Sequence, residues 1–136
     1  MTLPRLLVVD DHQMLREALV ELLVQGGFAV AGEAADGADA VALAKQLEPD
    51  VVLMDLRMPV MGGLDATRLI KDACPATQVV LLTAFDSPAL QQQAEEAGSF
   101  AYLVKGGPPG TLRLVLHQAV AARRAHLPPG STAVEA

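Results

Sequence analysis

Five polar residues stand where runs of aliphatic residues stop: Asp10 and Asp11 after LLVV, Asp55 after VVLM, Thr83 after VVLL, and Lys105 after AYLV. Side by side, Asp10 and Asp11 repel each other by about 4 kcal/mol at ~4 Å and an effective dielectric near 20, so folding alone gives no reason for the pair. A cation is expected nearby. Taken singly, each residue has an ordinary use: an aspartate after a strand forms turns or caps helices, a threonine satisfies backbone groups, and a lysine points to water. Those uses do not explain complementary groups at the ends of four strands. Oxygen ligands without His or Cys in the pattern suit a hard cation such as Mg2+ better than zinc. With an ammonium and a hydroxyl donor added, the set describes a cavity for an anion of several oxygens held against a metal, and a phosphoryl group fits. Asp55 is then the candidate nucleophile, forming an aspartyl phosphate.

This convergence requires a fold that brings strand ends to one edge. Apolar runs recur at Leu6–Val9, Phe28–Ala31, Val51–Met54, Val79–Leu82 and Phe100–Val104. Between them, MLREALVELLVQ places Met14, Leu15, Ala18, Leu19, Leu22 and Leu23 on one helical stripe that Gly26-Gly27 ends. Further helices are expected over about Gly37–Leu47, Leu64–Asp72, Ala89–Ala97 and Leu112–Ala125. Strand and helix thus alternate five times, which predicts an α/β fold: a doubly wound parallel sheet with helices on both faces, because each right-handed crossover needs a helix. In such sheets ligands bind outside the carboxyl ends of the strands.

The chain has 136 residues, 51% of them hydrophobic, enough for one domain that buries roughly two-thirds of its unfolded surface. No apolar stretch approaches the roughly 18 residues of a membrane span, and no secretory signal is evident, so a cytoplasmic location is expected. Cys74 is the only cysteine, which excludes an internal disulfide and a thiolate metal cluster. The formal charge of −6 argues against a direct grip on nucleic acid, which needs a basic footprint. Arg113, His117, Arg123, Arg124 and His126 make the last helix basic, and a solvated face or a partner contact accounts for them. His12, opening the first helix, is read as a surface or loop-packing residue rather than a ligand. Residues 127–136 are small, Pro-rich and polar, and read as a tail or truncated linker after a domain over 1–126.

As a set, VVDDH, DVVLMDLRMPVMGG, VVLLTAF and AYLVK are specific, and over Leu6–Arg124 the sequence resembles the receiver domain of two-component response regulators. The resemblance implies a flavodoxin-like five-stranded sheet of order 2-1-3-4-5. It makes Asp55 the phosphoacceptor and Asp11 the direct ligand of Mg2+ or Mn2+, with Asp10 acting on the metal largely through water and Arg57 lending its backbone carbonyl. Thr83 and Lys105 become the pair that contacts the new phosphoryl oxygens, and Tyr102 the aromatic that moves when the threonine is pulled inward. Met58-Pro59 and Gly62-Gly63 match the turn after the phosphorylation strand. The implied partners are a histidine kinase and a downstream protein or fused output domain. Homodimerisation is a weaker expectation, through the face of the fourth helix, fifth strand and last helix.

The opening VVDDHQMLREAL is most similar to receivers that precede a DNA-binding helix-turn-helix, while LLTAF and AYLVK occur also before RNA-binding antitermination domains. Neither output domain is present, so a free-standing receiver and one cut from a longer regulator are both compatible. Many receivers follow the lysine with a proline in a cis peptide. Here Lys105 precedes Gly106-Gly107, where a cis bond would cost about 3 kcal/mol, so a trans bond is expected, along with a mobile loop that holds Lys105 less firmly. Two other functions compete. A metal-dependent phosphatase would use the same aspartate but needs a general acid, commonly two residues later, where this chain has Arg57. A degenerate receiver would have lost an acidic residue, the threonine or the lysine, and none is lost.

Overall fold

β1 (Arg5–Val9), β2 (Ala29–Ala34), β3 (Val51–Met54), β4 (Gln78–Thr83) and β5 (Ala101–Val104) form one parallel sheet in the order β2-β1-β3-β4-β5. This is the expected flavodoxin-like topology. The computed structural model describes residues 2–126. The tail expected over 127–136 lies outside the described residues.

Helices α1 (Gln13–Gln25), α2 (Gly37–Leu47), α3 (Gly63–Ala73), α4 (Pro88–Ala97) and α5 (Pro109–His126) connect and follow the strands. Successive strand side chains point to opposite faces, and that alternation sorts the core into two layers. Leu7, Val9, Val52, Met54, Val79 and Leu81 pack with Ala40, Val41 and Ala44 of α2, Ala66 and Ile70 of α3, and Ala94 of α4. Leu6, Val8, Val51, Leu53 and Val80 pack with Leu23 of α1 and with Leu112, Leu116, Ala119 and Val120 of α5. Each fully buried Leu or Val contributes about 1.5–3 kcal/mol, so the aliphatic runs hold the sheet between its helix layers.

Two boundaries differ from expectation for reasons outside local hydrophobicity. β2 continues to Ala34 because Gly32, Glu33 and Ala34 pair with Leu7, Val8 and Val9 of β1; Phe28, expected inside the strand, is buried just ahead of it. α5 opens at Pro109, well before Leu112. A proline suits the first helical turn, where its missing N–H would have no partner anyway. No peptide bond among the described residues is cis, so Lys105 joins Gly106 in trans as expected. Gly106 takes φ 91°, a left-handed conformation that a side chain would oppose.

From β1 the chain passes to the edge strand β2 and then crosses back to β3. This reversal opens a crevice at the carboxyl ends of β1 and β3. Asp10 and Asp55 are the residues that follow those two strands.

Candidate functional site

The positive charge expected of Lys105, in addition to a metal, reaches the site from just beyond β5. Lys105 Nζ lies 3.2 Å from Asp10 Oδ2 and 3.1 Å from Asp55 Oδ2, bridging the two strand-terminal carboxylates. Asp10 is 2% exposed and Asp55 9%. Their other oxygens are also satisfied: Asp10 Oδ1 accepts from the His12 amide at 2.9 Å, and Asp55 Oδ1 from the Leu56 amide at 2.7 Å. Burial alone would lower the Lys105 ammonium, but the hydrogen bonds and charges of Asp55 and Asp10 outweigh it and hold the group above its usual value. Both carboxylates pair with the Lys105 ammonium although Gly106-Gly107 follow it.

Asp11 is the open member of the acidic group, its side chain 32% exposed, with His12 Nδ1 3.4 Å from its Oδ1. Asp10, Asp11 and His12 offer ligand atoms that all lie within 4.8 Å of one another. His12 thus sits at the same corner, although its side chain faces solvent as the sequence suggested. The oxygen-rich set of Asp10, Asp11 and Asp55 has the donor chemistry of a hard divalent cation.

Thr83 ends β4 fully buried, and its Oγ1 accepts a hydrogen bond from the Phe85 amide at 3.2 Å. Its hydroxyl proton is not used in that bond. The Lys105 amide donates to the Thr83 carbonyl at 2.7 Å, so the two residues are joined through the β4–β5 ladder. The Tyr102 hydroxyl donates to the Phe85 carbonyl, and burial raises its phenol above the usual value, with the Asp86 charge adding to the effect. Arg57 and Phe85, two residues beyond Asp55 and Thr83, meet each other, with the guanidinium carbon 4.1 Å from the ring centroid.

One supporting residue was not singled out in the sequence. Arg16 of α1 donates to the Asp10 carbonyl at 2.7 Å while its Nε lies 3.1 Å from Glu33 Oε1 on β2. It braces the turn carrying the acidic pair. The signal was an arginine one turn into the helix that follows the pair, which has no meaning until Glu33 is known to be beside it.

A doubly wound parallel sheet of order 2-1-3-4-5, with clustered aspartates at its switch point and a lysine reaching them from the end of the last strand, defines a flavodoxin-like α/β domain. The model for the response regulator receiver domain matches residues 6–117, and the chain belongs to that family, whose place is in two-component signalling. The transcriptional regulatory protein LnrK of Bacillus subtilis is 41% identical over 102 residues, covering 74% of this chain and 46% of LnrK. The chemotaxis protein CheY of Thermotoga maritima is 37% identical over 105 residues, covering 77% of this chain and 88% of CheY. Among solved structures, a two-component response regulator of the LuxR family from Aurantimonas sp. SI85-9A1 superposes with a TM-score of 0.85 at 35% identity, covering 90% of this chain and 88% of that one. The chain spans about half the length of the transcriptional regulators it matches. Among the described residues no helix is long and apolar enough to cross a membrane.

Proposed function

We propose that this domain is a cytoplasmic phosphorylation switch in which Asp55 accepts a phosphoryl group from the phosphohistidine of a histidine kinase. The observation that carries the reading is Lys105 Nζ within 3.2 Å of both Asp10 and Asp55. An ammonium so placed can pass from the carboxylate to a phosphoryl oxygen with little movement. Asp55 attacks phosphorus, the bond to the histidine nitrogen breaks, and its electron pair stays on the leaving imidazole. Asp10, Asp11, Asp55 and the Arg57 carbonyl would hold Mg2+ or Mn2+, which neutralises charge on the transferring group when bound. Thr83 donates its hydroxyl proton to a phosphoryl oxygen, and Lys105 takes another.

The response passes through the backbone of one residue. Phe85 donates to Thr83 through its amide and accepts from Tyr102 through its carbonyl, so a threonine drawn toward the phosphoryl group pulls on Tyr102. The face of α4, β5 and α5 is the surface switched, toward a downstream protein, a fused output domain or a second copy of the chain. No turnover of its own is expected. A phosphatase would want a general acid where Arg57 stands, and a guanidinium does not supply that proton.

Acetyl phosphate with Mg2+ should add one phosphoryl group to the chain, detectable by intact mass and released by hydroxylamine. Asp55→Asn should abolish the addition. Undiminished labelling in that variant would remove Asp55 as the nucleophile, and continuous release of phosphate over many turnovers would favour the phosphatase.

A further inference from the structure

The loop between β3 and α3 is tied down at three places. At its base the Gly63 amide donates to the Leu56 carbonyl at 2.7 Å, and a side chain there is excluded because a Cβ would lie 2.4 Å from the Asp55 carbonyl oxygen. On one flank Arg57 stacks on Phe85. The third tie is to α2: the Gly37 amide donates to the Met61 carbonyl at 3.0 Å. A Cβ on Gly37 would lie 2.3 Å from that oxygen and 2.9 Å from its carbon. Gly37 opens α2, so its N–H has no partner within the helix, and the Met61 carbonyl takes it.

Between these ties the backbone is strained. Val60 has φ 68°, uncommon for any side chain and costly for a β-branched one. The Met61 amide donates to the Pro59 carbonyl across it at 2.7 Å, which closes a γ-turn. Val60 is 84% exposed, so side-chain packing does not offset the strain. The ends of the loop must impose it.

We propose that Gly37 is a positioning residue for the phosphoacceptor site. By letting the N-terminus of α2 rest directly on the Met61 carbonyl, it holds the β3–α3 loop in its strained turn and so sets where the Arg57 carbonyl stands beside Asp55. The proposal deepens the phosphoacceptor reading and rests on it for the role of that carbonyl. A side chain at position 37 would drive the Met61 carbonyl from 2.3 Å out to at least 3.0 Å. The base is held by the Gly63 amide on the Leu56 carbonyl, so the displacement falls on Arg57–Val60. Mg2+ demands near-ideal octahedral geometry and tolerates such a shift poorly.

The test is a titration of the whole chain with Mg2+ alone, followed by amide NMR shifts at Asp11 and Leu56, with thermal unfolding run alongside. Gly37→Ala should keep a cooperative melt yet weaken Mg2+ binding by about tenfold, the order expected for a misplaced ligand group. Adding Val60→Gly should recover most of that loss, because glycine lets the turn re-form around a displaced Met61. Val60→Gly alone should stay within about twofold of the parent, since it leaves the ties intact. A clash that merely loosened α2 would lower the melting temperature and would not be answered by an exposed residue on another loop. Unchanged Mg2+ affinity in folded Gly37→Ala, or a loss that Val60→Gly does not reverse, overturns the proposal. Should Gly37→Ala not melt cooperatively, the parent decides the matter: its Gly37 and Met61 amides should gain exchange protection on adding Mg2+, and unchanged protection overturns the link. Failure of Asp55 labelling in the parent would instead remove the function, and the Mg2+ titration is read independently of it.

Discussion

Arg57 and Phe85 stand two residues beyond Asp55 and Thr83, on the two loops that leave the site. Their contact at 4.1 Å is an exposed cation–π pair, worth about 0.5–1 kcal/mol. Leaning over the cavity together, they would obstruct the water that attacks phosphorus opposite the aspartyl oxygen, and the guanidinium would hold a phosphoryl oxygen without activating a nucleophile. Slow loss of phosphate is expected. The double variant Arg57→Asn, Phe85→Ala should lose it about tenfold faster, equivalent to about 1.4 kcal/mol of barrier; equal or slower decay of the labelled species would show that the pair does not gate the water. Tyr102 gives a separate reading, since it is the only tyrosine in the chain. Its phenol is raised above the usual value by burial, so it should ionise at higher pH in the folded chain than in the urea-unfolded one, where about 10 is expected. Between those two values the folded chain keeps a proton the unfolded chain has lost, so stability falls as pH rises through the window. Lys105 acts in the same direction: its ammonium is also raised, and its contribution is whole below the unfolded value of about 10.4 and lost as pH climbs through the folded one. Absorbance titration of the phenolate checks the first point, and a Tyr102 that ionises alongside the unfolded chain would contradict it.

Among the elements, β4 and β5 and the loops after them would be the moving part of the proposed switch. Thr83 is buried in the sheet edge, Tyr102 is only partly covered, and the backbone of Phe85 links them through its N–H on one side and its carbonyl on the other. The loop after β4 has little burial, with Ala84, Phe85 and Asp86 all exposed, which places it among the segments of low local stability from which switches are drawn. Phosphorylation should therefore change amide exchange over Ala84–Ser87 and Phe100–Gly107. Changes confined to the loops after β1 and β3 would show that the signal stops at the metal side of the site. α1 contributes differently. Only Leu23 is buried on it, and Met14 is 85% exposed, so its fixed position owes much to Arg16, which ties it to Asp10 and Glu33.

Across the whole molecule the sheet carries opposite charge arrangements at its two ends. At the carboxyl edge one lysine serves clustered aspartates. At the amino edge one aspartate serves two guanidinium groups and a backbone amide: Asp50 Oδ1 lies 3.3 Å from Arg123 and 3.7 Å from Arg124, and Asp50 Oδ2 accepts from the Arg5 backbone N–H at 2.8 Å. Arg5 and Arg123 also donate to the Glu48 carbonyl at 3.2 Å, at the left-handed end of α2. This clasp anchors the end of α5 to the sheet. Two residues of the basic helix thus turn inward. Asp50→Ala should cost about 3 kcal/mol because it leaves arginine charge partly buried without a partner. Arg123→Met should cost much less, since the stem is kept and its Nε is already buried without a hydrogen-bond partner. Urea unfolding of both variants checks the order; equal losses would mean that packing, not pairing, sets the stability of this end.

The alternation of apolar runs with helical stripes is a local property, and from it the five βα units, the parallel sheet and the strand-terminal places of Asp10, Asp55, Thr83 and Lys105 could all be read. Repulsion between Asp10 and Asp11 also announced a nearby cation, and the strand edge placed Lys105 in the same cavity. Which carboxylates the lysine would bridge needed the crossovers, because Lys105 is 95 residues from Asp10 and 50 from Asp55, and no period in the chain encodes a contact made by folding five strands into register. The same holds for Arg16 on Glu33, Gly37 under Met61 and Arg123 on Asp50. Each joins groups on different elements, and its energy arises only when packing of the apolar layers brings those elements within hydrogen-bonding reach. The extent of β2 was hidden for a related reason: Gly32, Glu33 and Ala34 are strand because β1 offers them backbone partners, which side-chain hydrophobicity does not report.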